Sequence, residues 1–194
     1  MVLQTTIDLL VGMKMTAMAA ELSSQMQDVS FSELGFEDRL GLLVTSEWNR
    51  HQTNTVKRLI HNAHFAAPFA TVEEISYYED RKLDKAQILR FSTCQFVDES
   101  HHITLKGASG NGKTYIACAL DNAACRRFKK VRYVCMPELL NELSIARSAG
   151  ELKKCLVSYK KADLLFPDEW PSGLCLPRSP MTCWKSWRPA ANDL

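Results

Sequence analysis

The amino-acid sequence predicts an α/β protein in which a small all-helical N-terminal unit precedes a parallel sheet with covering helices. Three observations carry that prediction. Up to residue 60, apolar residues recur at spacings of three and four, the mark of helices that bury one face. From residue 101 short apolar runs alternate with helical stretches, the order a parallel sheet requires because each crossover carries a helix. Between the first such run and the first such helix stands GASGNGKT, residues 107–114.

In the N-terminal unit, Ile7, Val11, Met15, Met18 and Leu22 lie on one face of a helix, so a single helix is expected over 7–22, with the methionines as core filler. Ser30 and Glu33 stand at capping-box spacing ahead of a second amphipathic stretch through Phe36, Leu40, Leu43, Val44 and Trp48 that continues to Val56, Leu59 and Ile60. Pro68 breaks the helical pattern. The chain therefore divides into a helical unit at 1–68, a connecting segment at 69–100 with a short helix near 83–89, a partial core at 101–170, and an irregular tail at 171–194.

Within the core, HITLKG reads as a strand ending at Gly107, 113–128 as a helix, and VRYVC (131–135) as a strand. Residues 137–147 read as a helix opened by a proline, ELKKCLVSYKKA as a further helix, and DLLF (163–166) as a strand.

Composition sets outer limits. With 194 residues, 46% of them hydrophobic and 24% charged, the chain has enough material for one sizeable core and a smaller unit. No apolar run approaches the roughly eighteen residues of a membrane span. The opening MVLQTTIDLLVGMKM has no basic leader and carries Asp8 within its apolar part, so the expectation is a cytoplasmic protein with no membrane partner. Seven cysteines in no CxxC pattern read as reduced thiols. His61 and His64, three apart but without thiol or acidic companions, read as helix-face residues and not as a metal site. The net charge of +2 hides an asymmetry: residues 1–100 hold nine basic and fourteen acidic residues, residues 101–194 fifteen basic and eight acidic. The basic excess travels with the glycine-rich loop, which suits a polyanionic ligand.

Gly107, Ala108, Ser109, Gly110, Asn111, Gly112, Lys113 and Thr114 match GxxxxGK[ST] at every fixed position, the phosphate loop of P-loop NTPases. Glycines let successive N–H groups turn inward and, with the helix N-terminus, complement a triphosphate. Lys113 supplies a point charge for the β- and γ-phosphates, and the Thr114 hydroxyl a ligand for Mg²⁺. Such a loop needs a downstream carboxylate at the end of an apolar strand, with a neighbouring glutamate to polarise water. DLLFPDE provides Asp168 for magnesium and Glu169 as the catalytic base. Pro167 is at odds with a central strand, since it cannot donate a ladder bond.

Together these segments resemble the IstB-like helper ATPases of bacterial insertion sequences, relatives of the DnaC-type helicase loaders in the AAA+ class. The resemblance covers about residues 5–170. It rests on FEDRLGLLVTSEWNR, LDKAQILRFSTCQFVDE, GASGNGKTYIACALDNAACRR, VRYVCMPELLNELSIARSAG and DLLFPDEW. It implies an AAA+-like fold, ATP and Mg²⁺ as cofactors, and a helper role in DNA transposition. It also implies contact with double-stranded DNA, a transposase of the same insertion sequence as partner, and assembly as a homo-oligomer. A helicase-loader ATPase acting in replication, or a non-enzymatic DNA- or transposase-binding fragment, are the alternatives. For DNA the basic cluster Arg126, Arg127, Lys129, Lys130 and Arg132 offers phosphate contacts, although a solvated helix end carries the same residues. The 48–64 stretch, with Arg50, Lys57 and Arg58, is another candidate surface for DNA or the transposase.

In that class the strand bearing the first sensor residue lies between the phosphate-loop strand and the acidic strand, and comes later in the chain. Only 25 residues follow Glu169, with four prolines and three tryptophans, counted from Trp170. The expectation is an incomplete sheet, unpaired backbone groups beside the phosphate-loop strand, and hydrolysis near background. Shifting the reading frame across residues 181–188 permits an amphipathic helical sequence, so 171–194 is expected to be a frameshifted continuation.

Overall fold

The computed structural model describes residues 2–78 and 83–169; the tail read as frameshifted lies outside the described residues. The chain forms two compact units, Met1–Lys57 and Arg58–Leu194, and the division falls inside one long helix.

The first unit contains α1 (Val2–Gly12), α2 (Thr16–Gln27), a 3₁₀ turn (Val29–Glu33) and the first part of α3 (Phe36–Ala63). The single helix expected over 7–22 is therefore corrected to two. Lys14 takes φ 62°, and Met15 N–H donates to Leu10 O at 2.8 Å, a left-handed closure of α1. Apolar spacing runs across this stop and cannot reveal it. The expected Ser30 cap is also replaced: Asp28 accepts from Ser30 N–H at 2.9 Å, which makes a 3₁₀ turn, and α3 starts only after Gly35.

Polar groups join these helices. Met15 gives α2 no side-chain cap; instead Glu47, reaching across from α3, accepts from Ala17 and Met18 N–H at 3.0 and 3.2 Å. Its other oxygen takes Arg50 Nε at 2.8 Å, and Arg50 also donates to Lys14 O at 2.5 Å. Led by the Arg50 hydrogen bond, these contacts outweigh burial and hold the Glu47 carboxyl below its usual range. Arg50, offered by sequence as a contact surface, is thus tied into its own unit. The expected apolar face of α3 divides: Phe36, Leu40, Val44 and Trp48, each four apart, form an exposed stripe, while Glu47 is buried.

In the second unit the end of α3 delivers Leu59, Ile60 and Ala63 to a core shared with Phe65, Ala70, Val72 and Ile75. The packing thus takes in residues 58–68, which helical periodicity groups with the N-terminal unit. Asp84 caps α4 (Lys85–Ser92), accepting from Ala86 and Gln87 N–H; a short α5 (Gln95–Asp98) follows. The centre is α6 (Lys113–Arg126), whose Ile116, Ala117, Cys118, Ala119, Leu120, Ala124 and Cys125 are buried. Its small side chains let neighbouring segments approach closely, and Asn122 Nδ2 satisfies the carbonyls of Pro68 and Ala70 at 3.0 and 2.8 Å.

Strand β1 (Val131–Cys135) leads through α7 (Met136–Ser148) and α8 (Leu152–Lys160) to β2 (Leu164–Asp168). The strands pair in parallel, Val131 with Leu164 and Cys135 with Asp168, as a β-crossover-β unit requires. Pro167 stands opposite Val134 in a strand paired on one side only among the described residues, a position that tolerates a missing N–H.

The strand expected at HITLKG is corrected: residues 101–107 form none. Ile103 and Leu105 are half-buried while His102, Thr104 and Lys106 are exposed, so burial alternates as it would along a strand. A strand also needs a ladder partner, and the described sheet consists of β1 and β2 alone. The second unit has the α/β arrangement of a partial P-loop NTPase fold, and the helical unit precedes it in the chain.

Candidate functional site

The loop at 107–114 is shaped by two glycines. Gly110 and Gly112 take φ 80° and 72°, the left-handed region where a side chain is strained. At Gly107 a Cβ would meet Lys113 Cδ no closer than 3.8 Å, so bulk there is not what the loop excludes. Ala108, Ser109, Gly110 and Asn111 are exposed. Gly112 begins α6 without a side-chain cap, leaving the first-turn N–H groups directed at the loop. Lys113 Nζ arches back to Ala108 O at 2.7 Å, which places the ammonium over that opening.

The next residue joins the loop to the acidic strand. Thr114 Oγ1 donates to Asp168 Oδ2 at 2.7 Å across 54 residues of sequence. Tyr133 OH donates to the same oxygen at 3.0 Å, and Glu169 N–H to Asp168 Oδ1 at 2.8 Å. Burial alone would raise the Asp168 carboxyl; the Thr114 hydroxyl, the Glu169 N–H, the Tyr133 hydroxyl and the Lys113 charge together hold it below its usual value. It therefore stays ionised at neutral pH. A carboxylate beside a hydroxyl is a hard oxygen donor set that suits a divalent ion retaining several waters. Among the described residues no group of three His, Cys, Asp or Glu could hold a metal ion unaided.

Glu169 follows β2 with φ 54°, and its Oε2 accepts from Cys135 Sγ at 3.1 Å. That hydrogen bond first, then burial, pushes the Cys135 thiol up. The register that pairs Cys135 with Asp168 creates both contacts: Tyr133 and Cys135, two apart on β1, share the face turned toward the acidic pair. Sequence reading missed both, because VRYVC scores simply as a strand. Their alternation on a strand destined to lie beside DLLFPDE was the available signal.

The basic cluster is split by its surroundings. Lys129 pairs with Asp98, and the Arg132 guanidinium lies 4.3 Å over the Tyr159 ring. Arg127 Nε donates to Ser92 O at 3.2 Å. Arg126, Arg127 and Lys130 are exposed. A cavity of about 600 Å³ opens between Thr71, Ile75, Lys85, Leu89, Asn122 and Arg126, and none of residues 107–114 lines it. No described helix is long and apolar enough to cross a membrane.

The family described as IstB-like ATP binding protein matches residues 8–175. The chain is 31% identical to the insertion sequence IS1162 putative ATP-binding protein of Pseudomonas fluorescens, over 88% of this chain and 74% of the relative. A putative insertion sequence ATP-binding protein of Sinorhizobium fredii, y4pL, is also 31% identical, over 88% and 69%. The insertion sequence IS21 putative ATP-binding protein of Pseudomonas aeruginosa is 26% identical, over 83% of this chain and 60% of its own length.

Proposed function

Because the chain belongs to the IstB-like ATP binding protein family, we propose that it serves DNA transposition as an ATP-binding helper, with residues 107–114 as its triphosphate site. The observation that carries this reading is the Thr114 to Asp168 hydrogen bond, which brings the end of the phosphate loop and the acidic strand to one point.

In this reading the backbone N–H groups of the loop and of the first turn of α6 receive the phosphates, and Lys113 leaves Ala108 O to meet the β- and γ-oxygens. Thr114 and Asp168 hold Mg²⁺, which when bound neutralises charge on the phosphates. Glu169 orients water. Turnover is weak, because residues 101–107 have no ladder partner among the described residues to fix the loop and the Glu169 carboxylate is engaged by Cys135. The exposed Arg126, Arg127 and Lys130 contact the DNA backbone. The stripe Phe36, Leu40, Val44 and Trp48 on α3 offers the helical unit, 1–68, to the transposase or to further copies of the chain.

Calorimetric titration with ATP and magnesium tests the nucleotide assignment. Wild type should bind, and Lys113→Ala should lose at least about tenfold in affinity, since a charge-assisted contact contributes about 1.5–3 kcal/mol. Equal binding by the variant overturns the assignment.

A further inference from the structure

We infer that Tyr133 is a positioning residue for the magnesium pair Thr114 and Asp168; the inference rests on the nucleotide-site reading above. Asp168 has two carboxylate oxygens, each with two acceptor positions. Thr114 and Tyr133 hydroxyls fill both on Oδ2, at 2.7 and 3.0 Å, and Glu169 N–H occupies one on Oδ1 at 2.8 Å. Three donors from three chain segments therefore fix the carboxylate plane.

The direction of these bonds matters. Thr114 gives its proton to Asp168, so the lone pairs of its own oxygen stay free for a cation. That arrangement lasts only while the carboxylate keeps facing Thr114. Tyr133 is the donor that β1 supplies, and its ring is seated 5.4 Å from that of Phe166, on the strand that carries Asp168. Without the hydroxyl, Oδ2 is held by Thr114 alone and the carboxylate can turn. The role resembles that of outer-shell partners at metal sites, whose removal typically costs about 10–100-fold in metal affinity.

Tyr133→Phe removes the hydroxyl and keeps the ring against Phe166, so the full chain carrying this change is the test. Binding of a fluorescent ATP analogue is measured first in EDTA and then as magnesium is added. The expected result is an EDTA affinity within about twofold of wild type and a magnesium half-saturation raised about tenfold. Unchanged half-saturation overturns the role of Tyr133, as does a parallel loss of EDTA affinity, which would mark a general disturbance of the loop. Wild-type binding that ignores magnesium overturns instead the assignment of Thr114 and Asp168 to a metal, on which the inference stands.

Discussion

Replacing Asp121 with alanine should remove a pH dependence of stability from the second unit. Asp121 sits in the middle of α6 with 4% of its surface exposed, and its Oδ2 is buried with no hydrogen-bond partner. Around it lie the buried thiols of Cys94, Cys118 and Cys125, whose own ionisation it opposes. Burial pushes the carboxyl from 3.8 up to about 8, so it is largely protonated at neutral pH. A folded value above the unfolded one means that the stabilising contribution is fully present below about pH 4 and is lost as pH rises through about 8. Between these limits the slope is about 1.4 kcal/mol per pH unit. From pH 5 to pH 7 the ceiling is therefore about 3 kcal/mol, and relaxation with water entry brings the expectation to about 2 kcal/mol. Urea unfolding followed by circular dichroism at pH 5, 6, 7 and 8, for wild type and Asp121→Ala, isolates the effect, because other titrating groups cancel in the difference. The stability of wild type relative to the variant should fall by about 2 kcal/mol between pH 5 and 7. A difference that stays constant over that range would refute the reasoning.

Two further outcomes are expected. Burial raises the thiols of Cys94, Cys118 and Cys125, the last to about 12, and thiolate is the reactive form. The thiols of Cys135 and Cys155 are raised as well, but these two are half-exposed where the other three are buried, so iodoacetamide at pH 8 should alkylate them well before the three; peptide mass mapping that finds early labelling at Cys118 would contradict the core. For DNA, Arg126→Ala and Lys130→Ala should each reduce the slope of log affinity against log salt by about one, while Arg132→Ala, stacked on Tyr159, should leave it unchanged. Fluorescence anisotropy with a duplex measures this, and unaltered slopes for the first two would remove the cluster from the interface.

The shape of the glycine-rich loop and the place of Asp168 were legible because they depend on local order: glycines where φ must be positive, a lysine and a threonine at the first turn of a helix, a carboxylate at a strand end. Gly110 and Gly112 occupy such φ values, and β2 ends at Asp168. Likewise α3, α6, β1, α7 and α8 follow from periodicity, with ends shifted by a few residues. The family resemblance rested on the same segments.

Tertiary structure alone decided the rest, because it depends on groups far apart in the chain. The stop at Lys14 is a backbone conformation that apolar spacing does not encode, and the cap on α2 comes from Glu47, thirty residues after Ala17. Residues 101–107 have the alternating faces of a strand, yet without a ladder partner among the described residues they are not one. Which face of α3 meets solvent was equally open, since Phe36, Leu40, Val44 and Trp48 have the spacing of a buried seam and stand exposed. The hydroxyl of Tyr133 reaches Asp168 only through the parallel register that lays β1 beside β2. A sequence fixes what each residue can donate, accept or bury; which partner it finds depends on how distant segments close on one another.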